Sequence, residues 1–134
     1  VEAELKKVTP ADRFPATQEK IASFRAGFGT ILYFTETQTV HKLEADFPLY
    51  AANFANWAEQ GLGGAQQAVW TALAAENIGA SLQHYNPLID EKIKEAFDIP
   101  ESWELRAQMP FGSIEAPAGE KEFLPDDVRF KIFE

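Results

Sequence analysis

The feature that most constrains the fold is a run of small and apolar residues at positions 65–78. Projected at 3.6 residues per turn, the apolar side chains surround the helix axis and leave no broad polar face. This pattern is typical of a helix buried in a core, and the alanines allow neighbouring elements to pack closely. Gly79 is the expected C-cap, because glycine adopts the left-handed conformation that ends many helices. The run therefore predicts a central, buried helix that ends at Gly79.

A turn-rich polar loop follows this helix and offers more chemistry than other parts of the chain. In order, its residues before Pro87 are Ser81, Leu82, Gln83, His84, Tyr85 and Asn86. Their hydroxyl, amide and imidazole groups are candidate ligand contacts. On the residues alone a structural role is favoured, because Ser81 and Asn86 are types that often satisfy backbone groups at a helix end or before proline.

Composition limits both the size of the protein and its chemistry. With 134 residues the chain is long enough for one domain with a single core. It contains no cysteine, which excludes disulfides, thiol nucleophiles and cysteine-bound zinc or iron–sulfur clusters. The formal charge of -9 repels nucleic acid and anionic membranes alike. A cytoplasmic location is expected and fits the lack of cysteine. No apolar run reaches the length of a membrane span, and no basic-then-apolar signal peptide opens the chain.

The remaining pattern predicts alternating helices and short strands. The continuous apolar run at residues 30–34 predicts a strand that is covered on both faces and central in its sheet. Alternation over residues 103–109 predicts a half-buried strand that Pro110 breaks. Alternation at residues 128–132 predicts a last short strand. Further helices are expected at residues 17–28, 40–47, 50–61 and 90–97.

Several of these segments resemble the nitroreductase family of flavin-dependent NAD(P)H oxidoreductases. They are the alanine-rich helix, the string GASLQHYNPLID after it, and the later string LRAQMPFGSIEAPAGEKEF. The two strings are more specific than a glycine motif. The chain looks most like the compact branch found in bacteria and fungi, from about Leu5 to Phe133. Family members have an additional amino-terminal segment, with a basic helix and a Ser/Asn-rich loop that hold the flavin, and nothing here matches it.

The resemblance implies an α+β fold with a three-layer arrangement, in which helices surround a mixed sheet and the buried central helix. It implies FMN as cofactor, NADH or NADPH as electron donor, and a nitroaromatic, a quinone or a similar small molecule as acceptor. Family members are intertwined homodimers with FMN at the interface. We therefore expect residues 1–134 to form a single nitroreductase-like domain without its amino-terminal portion, and residues 126–134 to form a tail exchanged between subunits.

The same resemblance assigns candidate flavin contacts to the loop after the central helix. In the family this loop runs beside the pyrimidine edge of the flavin. The corresponding backbone amides here belong to Ser81, Leu82, Gln83, His84, Tyr85 and Asn86. The imidazole of His84 could donate a hydrogen bond to a nitro group or nicotinamide, and a structural role is equally compatible with it. His41 lies on an expected exposed helix face and is assigned no function.

Lys121 is the expected contact for the FMN phosphate. It matches the position of a basic residue just before the family's carboxy-terminal segment. The family often has a second basic residue two positions later, where this chain has Phe123. Arg129 or Lys131 would compensate for that difference. Alternatively, Lys121 pairs with a neighbouring glutamate on a solvated loop, which is a common arrangement of little energetic consequence.

Two classes of function therefore remain. The first is an FMN-dependent oxidoreductase. The second is a non-catalytic dimeric binding module, or a stable fragment of the enzyme, without a competent flavin site. Other enzyme classes lack their motifs, since the sequence has no serine elbow with histidine and aspartate, no phosphate-cradling glycine loop and no two-histidine metal spacing.

Overall fold

The structure is a computed structural model that describes residues 1–133, so that Glu134, the last residue of the expected tail, lies outside the described residues. The described residues form six α-helices and three strands, with a short 3-10 turn at Pro48–Tyr50. In chain order they are α1 (Glu2–Val8), α2 (Phe14–Arg25), β1 (Gly29–Glu36), α3 (Thr37–Asp46), α4 (Ala51–Ala75), β2 (Gly79–Ala80), α5 (Asp90–Phe97), β3 (Trp103–Gly112) and α6 (Asp126–Arg129).

A three-stranded antiparallel sheet with the order β1-β3-β2 organises the fold. Strand β1 pairs with β3 from Gly29 opposite Phe111 to Glu36 opposite Trp103, whereas β2 pairs only with the end of β3. Two expectations are therefore wrong for this chain: the sheet is antiparallel and not mixed, and β1 is an edge strand. The apolar run of β1 indicates that both faces of the strand are covered, and helices cover them. It carries no information about which strands lie beside β1.

Helices cover both faces of the sheet, and this confirms the expected α+β fold in three layers. On one face, Tyr33, Ala107 and Met109 form a buried cluster. Side chains packed against this cluster come from the sheet and from α4: Ile31, Leu62, Val69, Leu73, Ala80 and Leu82. On the other face, α2 and α5 lie over Leu32 and Gln108 and enclose a cavity.

Helix α4 is continuous over 25 residues, although the sequence predicts two helices with a boundary near Gly61. Gly61, Gly63 and Gly64 all lie inside it. Each glycine lowers helix stability by about 1 kcal/mol relative to alanine. The packing of Leu62, Val69 and Leu73 against the sheet, and of α4 against α3, keeps the helix continuous despite this cost. Local propensity predicted a break, and tertiary packing prevents it.

The expectation that this helix is buried all round is wrong for the single chain. No residue of α4 is buried. Leu62, Val69 and Leu73 face the sheet, whereas Trp57 is 47% exposed and Trp70 is 37% exposed. An apolar surface on every side of a helix requires a neighbour on every side, and residues 1–133 of one chain provide neighbours on the sheet side and at α3.

Helix α4 ends at Ala75, so that Gly79 is not its C-cap and instead begins β2. Asn77 takes the left-handed conformation, with φ of 57°. The amide of Ile78 then donates to the carbonyl of Leu73 at 2.9 Å, which closes the last turn. Asparagine tolerates this conformation better than other residues with a side chain, which makes a glycine unnecessary here.

The beginnings of α2 and α3 also differ from the sequence prediction. Helix α2 begins at Phe14 with Pro15 in its first turn, rather than after Thr17. Proline suits this position because it lacks the amide hydrogen that a first turn cannot use. Helix α3 begins after Glu36, whose carboxylate accepts hydrogen bonds from the amides of Gln38 at 3.2 Å and Thr39 at 2.6 Å. A glutamate thus caps this helix in place of the more usual serine or aspartate.

Strand β3 continues past Pro110 to Gly112, where the sequence predicted a break. Proline removes one amide donor from the sheet. Its carbonyl still accepts a hydrogen bond from the amide of Ser81 at 3.1 Å. The strand therefore keeps a partner on the β2 side at this position.

The strand expected at residues 128–132 is absent from the described chain, which has α6 followed by irregular residues. Val128 is 63% exposed and Ile132 is 90% exposed. An alternating apolar pattern forms a strand only where an unpaired edge is within reach. Pro125 and the two aspartates after it favour the first turn of a helix instead.

Candidate functional site

The loop of residues 81–86 lies along the carboxyl half of β3 as an irregular extension of β2. The amide of Ser81 donates to the carbonyl of Pro110 at 3.1 Å. Farther along, Gln83 and Gln108 exchange hydrogen bonds in both directions, at 2.7 and 2.9 Å. The structure thus brings all the predicted loop residues together at the sheet edge opposite β1.

Gln108 holds this loop through its side chain as well as its backbone. It is the buried polar residue of the described chain, at 4% exposed. Its Oε1 accepts a hydrogen bond from the amide of Tyr85 at 2.9 Å, and its Nε2 donates to Oδ1 of Asn86 at 3.0 Å. The alternation of residues 103–109 predicts Gln108 on the polar face of a half-buried strand, and so indicates no role for it in a site. The available signal was a glutamine between Ala107 and Met109, within a run that is otherwise buried.

Asn86 fixes the end of the loop. Its Nδ2 donates to the carbonyl of Leu105 and to Oδ1 of Asp90, both at 2.7 Å. The peptide bond between Asn86 and Pro87 is cis. With the bond from Gln108, the carboxamide of Asn86 is therefore used on both its oxygen and its nitrogen. Its side chain serves the structure of the loop, as the residue type suggests.

The other polar side chains of the loop bind one another. Nε2 of Gln83 donates to the hydroxyl of Ser81 at 2.7 Å, and the hydroxyl of Tyr85 donates to Oε1 of Gln83 at 3.3 Å. Burial raises the pKa of Tyr85 above its ordinary value, so that the phenol remains protonated near neutral pH. These contacts make the loop a structure with its own side-chain hydrogen bonds, with its backbone as the principal source of further donors.

The backbone amides divide into two sets. Those of Ser81, Gln83 and Tyr85 are bound to β3, as described above. Those of Leu82, His84 and Asn86 have no acceptor within residues 1–133. The alternation of an extended chain directs those of Leu82 and His84 to the outer side of the edge. The expected set of flavin donors is thereby reduced to the amides that β3 does not use.

The side chains at these two positions differ in their surroundings. Leu82 packs against the buried cluster of Tyr33, Ala107 and Met109. His84 is exposed, and its imidazole makes no hydrogen bond with the part of the chain that the structure describes. Leu82 therefore anchors the loop in the core, while the imidazole of His84 is accessible from solvent.

Both basic residues assigned to the phosphate lie in the exposed carboxy-terminal segment. Lys121 has no carboxylate within salt-bridge distance among residues 1–133, so the expected alternative pairing with a neighbouring glutamate is not formed. Nη1 of Arg129 lies 3.9 Å from Oδ1 of Asp126, and the guanidinium lies 4.9 Å from the ring centre of Phe130. Within one chain, neither residue is hydrogen-bonded to the loop of residues 81–86.

An apolar cavity of about 450 Å³ adjoins the loop on the α2 and α5 side of the sheet. Tyr85 and Gln108 line it together with Ile21, Phe24 and Ile93. The described residues contain no cluster of histidine and carboxylate side chains that could hold a metal ion. No helix within residues 1–133 combines the length and apolar character needed to cross a membrane.

Comparison with known proteins gives consistent matches. The model of the family described as "Nitroreductase family" matches residues 2–113. Over 123 residues the chain is 44% identical to "Putative nitroreductase HBN1" of Saccharomyces cerevisiae, covering 91% of this chain and 63% of that protein. It is 36% identical over 97 residues to nitroreductase FRM2 of the same yeast, covering 72% of this chain and 49% of that protein. The chain thus spans less than two thirds of the length of these curated relatives.

Solved structures show the same similarity. The nitroreductase CinD from Lactococcus lactis in complex with nicotinic acid superposes with a TM-score of 0.84 at 48% identity, covering 99% of this chain and 72% of that one. CinD has also been solved with chloramphenicol and with 4-nitrophenol, and both structures match at 49% identity. A nitroreductase from Saccharomyces cerevisiae matches with a TM-score of 0.68 at 31% identity, covering 84% of this chain and 61% of that one.

Proposed function

Because the chain belongs to the nitroreductase family, we propose that it acts as an FMN-dependent oxidoreductase, with NADH or NADPH as donor and a nitroaromatic, a quinone or a similar small molecule as acceptor. The observation that carries the proposal is the loop of residues 81–86, which β3 holds with outward amides at a sheet edge. When bound, FMN would carry out the transfer of hydride from the donor and of electrons to the acceptor. The protein side chains then have to bind and orient, and need not react.

The outward amides fit the chemistry of a flavin. The pyrimidine edge of the ring carries two carbonyl oxygens that accept hydrogen bonds. Leu82 and His84 offer N–H donors that no acceptor in residues 1–133 uses. Donors fixed before the ligand arrives cost little reorganisation, because the β3 contacts have already ordered the backbone. In this proposal these amides orient the ring, and the exposed imidazole of His84 lies beside them.

Lys121 and Arg129 are the proposed phosphate contacts. FMN brings almost two negative charges to a protein whose own formal charge is -9, so a local cationic pair is needed. Lys121 makes no ion pair within the described chain, and Arg129 is only weakly engaged by Asp126 at 3.9 Å. Both are therefore available for a phosphate. The carboxy-terminal segment that carries them has exposed apolar side chains and is proposed to reach the loop of a second copy.

A homodimer is proposed because the chain exposes a large apolar surface. Tyr50 is 50% exposed, Trp57 is 47% exposed and Trp70 is 37% exposed. They lie on or next to α4, away from its sheet contacts, and exposed aromatic surface of this kind often marks a site of protein–protein contact. Gly61, Gly63 and Gly64 lie on the same helix with open space around their α-carbons, which permits close approach of another helix. A second copy of this chain is the proposed cover.

The acceptor class is supported by what the CinD structures contain. Chloramphenicol and 4-nitrophenol each carry a nitroaryl group, and nicotinic acid is an aromatic carboxylic acid. These are ligands of CinD. We propose that the electron acceptors of this chain are flat aromatic molecules like these ligands. The cytoplasm, where NADH and NADPH are held, is the proposed location.

The test is flavin binding and turnover by full-length protein, meaning the natural polypeptide that contains this chain. We expect purified full-length protein to be yellow, to release FMN on denaturation, and to oxidise NADH or NADPH only when a nitroaromatic or quinone is added. A colourless protein that binds no added FMN and consumes no donor, yet sediments as a dimer, would instead establish a non-catalytic dimeric module.

A further inference from the structure

One residue of the middle strand contacts successive positions of the proposed flavin loop. The backbone of Gln108 pairs with Gln83, its Oε1 accepts from the amide of Tyr85, and its Nε2 donates to Asn86. The loop has no other described contact that engages the backbone after Gln83. The bond from the Tyr85 amide therefore holds the backbone between two fixed points, the pairing of Gln83 and the side-chain contacts of Asn86.

The carboxamide of Gln108 is buried and binds a different partner at each end. A primary amide has one oxygen and one nitrogen end, so that Oε1 and Nε2 can satisfy an N–H donor and a carbonyl acceptor at the same time. The side chain is 4% exposed, hence water does not replace its partners easily. An amide in this place fixes the loop in a single arrangement, whereas an apolar side chain of the same size would fill the space and leave the loop free to shift.

We infer that Gln108 is a positioning residue for the flavin site: its buried carboxamide ties down the amide of Tyr85 and the side chain of Asn86, and thereby presents the amides of Leu82 and His84 outward. This inference rests on the proposed function. It adds a role for a residue that need not touch the flavin. Because the ring edge and not the phosphate meets the loop, the effect of Gln108 should be the same for FMN and for riboflavin, which lacks the phosphate.

The decisive variants change the carboxamide while keeping its volume. Gln108→Met removes both hydrogen bonds. Gln108→Glu keeps the acceptor for the amide of Tyr85, and its carboxyl group can also donate to Asn86 while it is protonated. Ile21→Ala is the matched control, because Ile21 is 7% exposed on α2 and lines the same cavity as Gln108, and its truncation lowers stability without removing a hydrogen bond of the loop.

Binding is measured on full-length protein by titration with FMN and with riboflavin, at a temperature where every variant is folded. We expect Gln108→Met to weaken both flavins by the same factor, about tenfold, as expected for a lost buried hydrogen bond. Gln108→Glu should recover most of the riboflavin affinity at pH values where its carboxyl is protonated. Ile21→Ala should leave both affinities within about twofold of the parent, even if its thermal midpoint falls as far as that of Gln108→Met.

Hydrogen exchange gives a readout that does not need flavin. In Gln108→Met, exchange of the peptide that contains Tyr85 should accelerate, while exchange of β1 stays as in the parent. Flavin binding by the parent together with equal affinities for Gln108→Met and Ile21→Ala would overturn the positioning role alone. A parent that binds neither flavin overturns the proposed function and the positioning of a flavin with it, and the exchange data then report only whether Gln108 orders the loop.

Discussion

The carboxamide oxygen of Gln108 lies 2.9 Å from the amide nitrogen of Tyr85, and this contact joins the middle strand of the sheet to the loop at its edge. The two residues are 23 positions apart in the sequence. The geometry of the candidate flavin loop is therefore set from outside the loop, by a strand that the ligand itself need not reach. Substitutions in the loop and substitutions of Gln108 in β3 should therefore both lower the affinity for flavin.

The phosphate assignment predicts a ligand-dependent loss on mutation of Lys121. Removing one charge-assisted contact in a partly screened setting should weaken FMN about 10-fold to 100-fold in Lys121→Ala. Riboflavin lacks the phosphate and should be affected much less. Titration of full-length protein with both ligands measures the difference, which should shrink as ionic strength rises.

Lys6→Ala is the control for this experiment, because it removes the same charge from α1 and should leave both affinities unchanged. An equal loss of FMN and riboflavin affinity in Lys121→Ala would mean that the lysine acts through folding or loop geometry. The phosphate assignment would then be wrong.

The tail assignment predicts that assembly depends on residues 126–134. Val128 is 63% exposed and Phe130 is 59% exposed in the single chain, so these side chains require a cover in the assembled protein. Deletion of residues 126–134 should shift the protein toward monomer or aggregate and lower its thermal midpoint. Asp127→Asn keeps the apolar side chains and should leave assembly intact. Sedimentation decides the matter, and a truncated chain that remains a stable dimer with unchanged melting would show that the tail makes no intersubunit strand.

A close backbone contact predicts a steric cost at Gly27. A Cβ added there would lie 2.8 Å from the carbonyl oxygen of Phe111, which already accepts a hydrogen bond from the amide of Phe28 at 2.8 Å. Gly27→Ala must therefore push the end of β3 away from the turn after α2, at a cost of about 1 to 3 kcal/mol. Gly119→Ala is the same substitution where nothing lies within 4 Å, and should change stability by less than about 0.5 kcal/mol. Chemical denaturation measures both, and equal unfolding midpoints for the two variants would refute the steric account.

The cap of α3 predicts a loss of stability in acid. Hydrogen bonds from the side chains of Ser102 and Thr39 lower the pKa of Glu36 from 4.5 to about 2. A carboxylate whose pKa is lower in the folded state stabilises it above the unfolded pKa, and the contribution is lost as pH falls through the folded pKa. The thermal midpoint of Glu36→Gln should therefore lie below that of the parent above pH 4.5 and approach it as the pH falls to about 2.

Glu19→Gln, on the exposed surface of α2, is the matched control for the acid experiment and loses no cap. Its difference from the parent should be small throughout the same titration. A Glu36→Gln variant whose deficit is as large at pH 2 as at neutral pH would show that shape, and not charge, carries the contribution of the cap.

The sequence by itself determined the identity and placement of most elements. The stripe of α5 and the alternation of β3 predicted those elements, and two strings, around Ser81 and around Phe111, identified the nitroreductase family before any fold was known. These properties are local. A helix stripe and a strand alternation report which side of a segment is covered, and a family string is legible wherever its residues occur in order.

Tertiary structure alone decided what those segments touch. It placed β1 at the sheet edge, kept α4 continuous through Gly61, and joined Gln108 to Tyr85 and Asn86. Each outcome depends on atoms far apart in the chain, whose approach is fixed by packing of whole elements and leaves no periodic trace. A buried glutamine reads as one more polar residue in a strand until the fold supplies the amide that it holds.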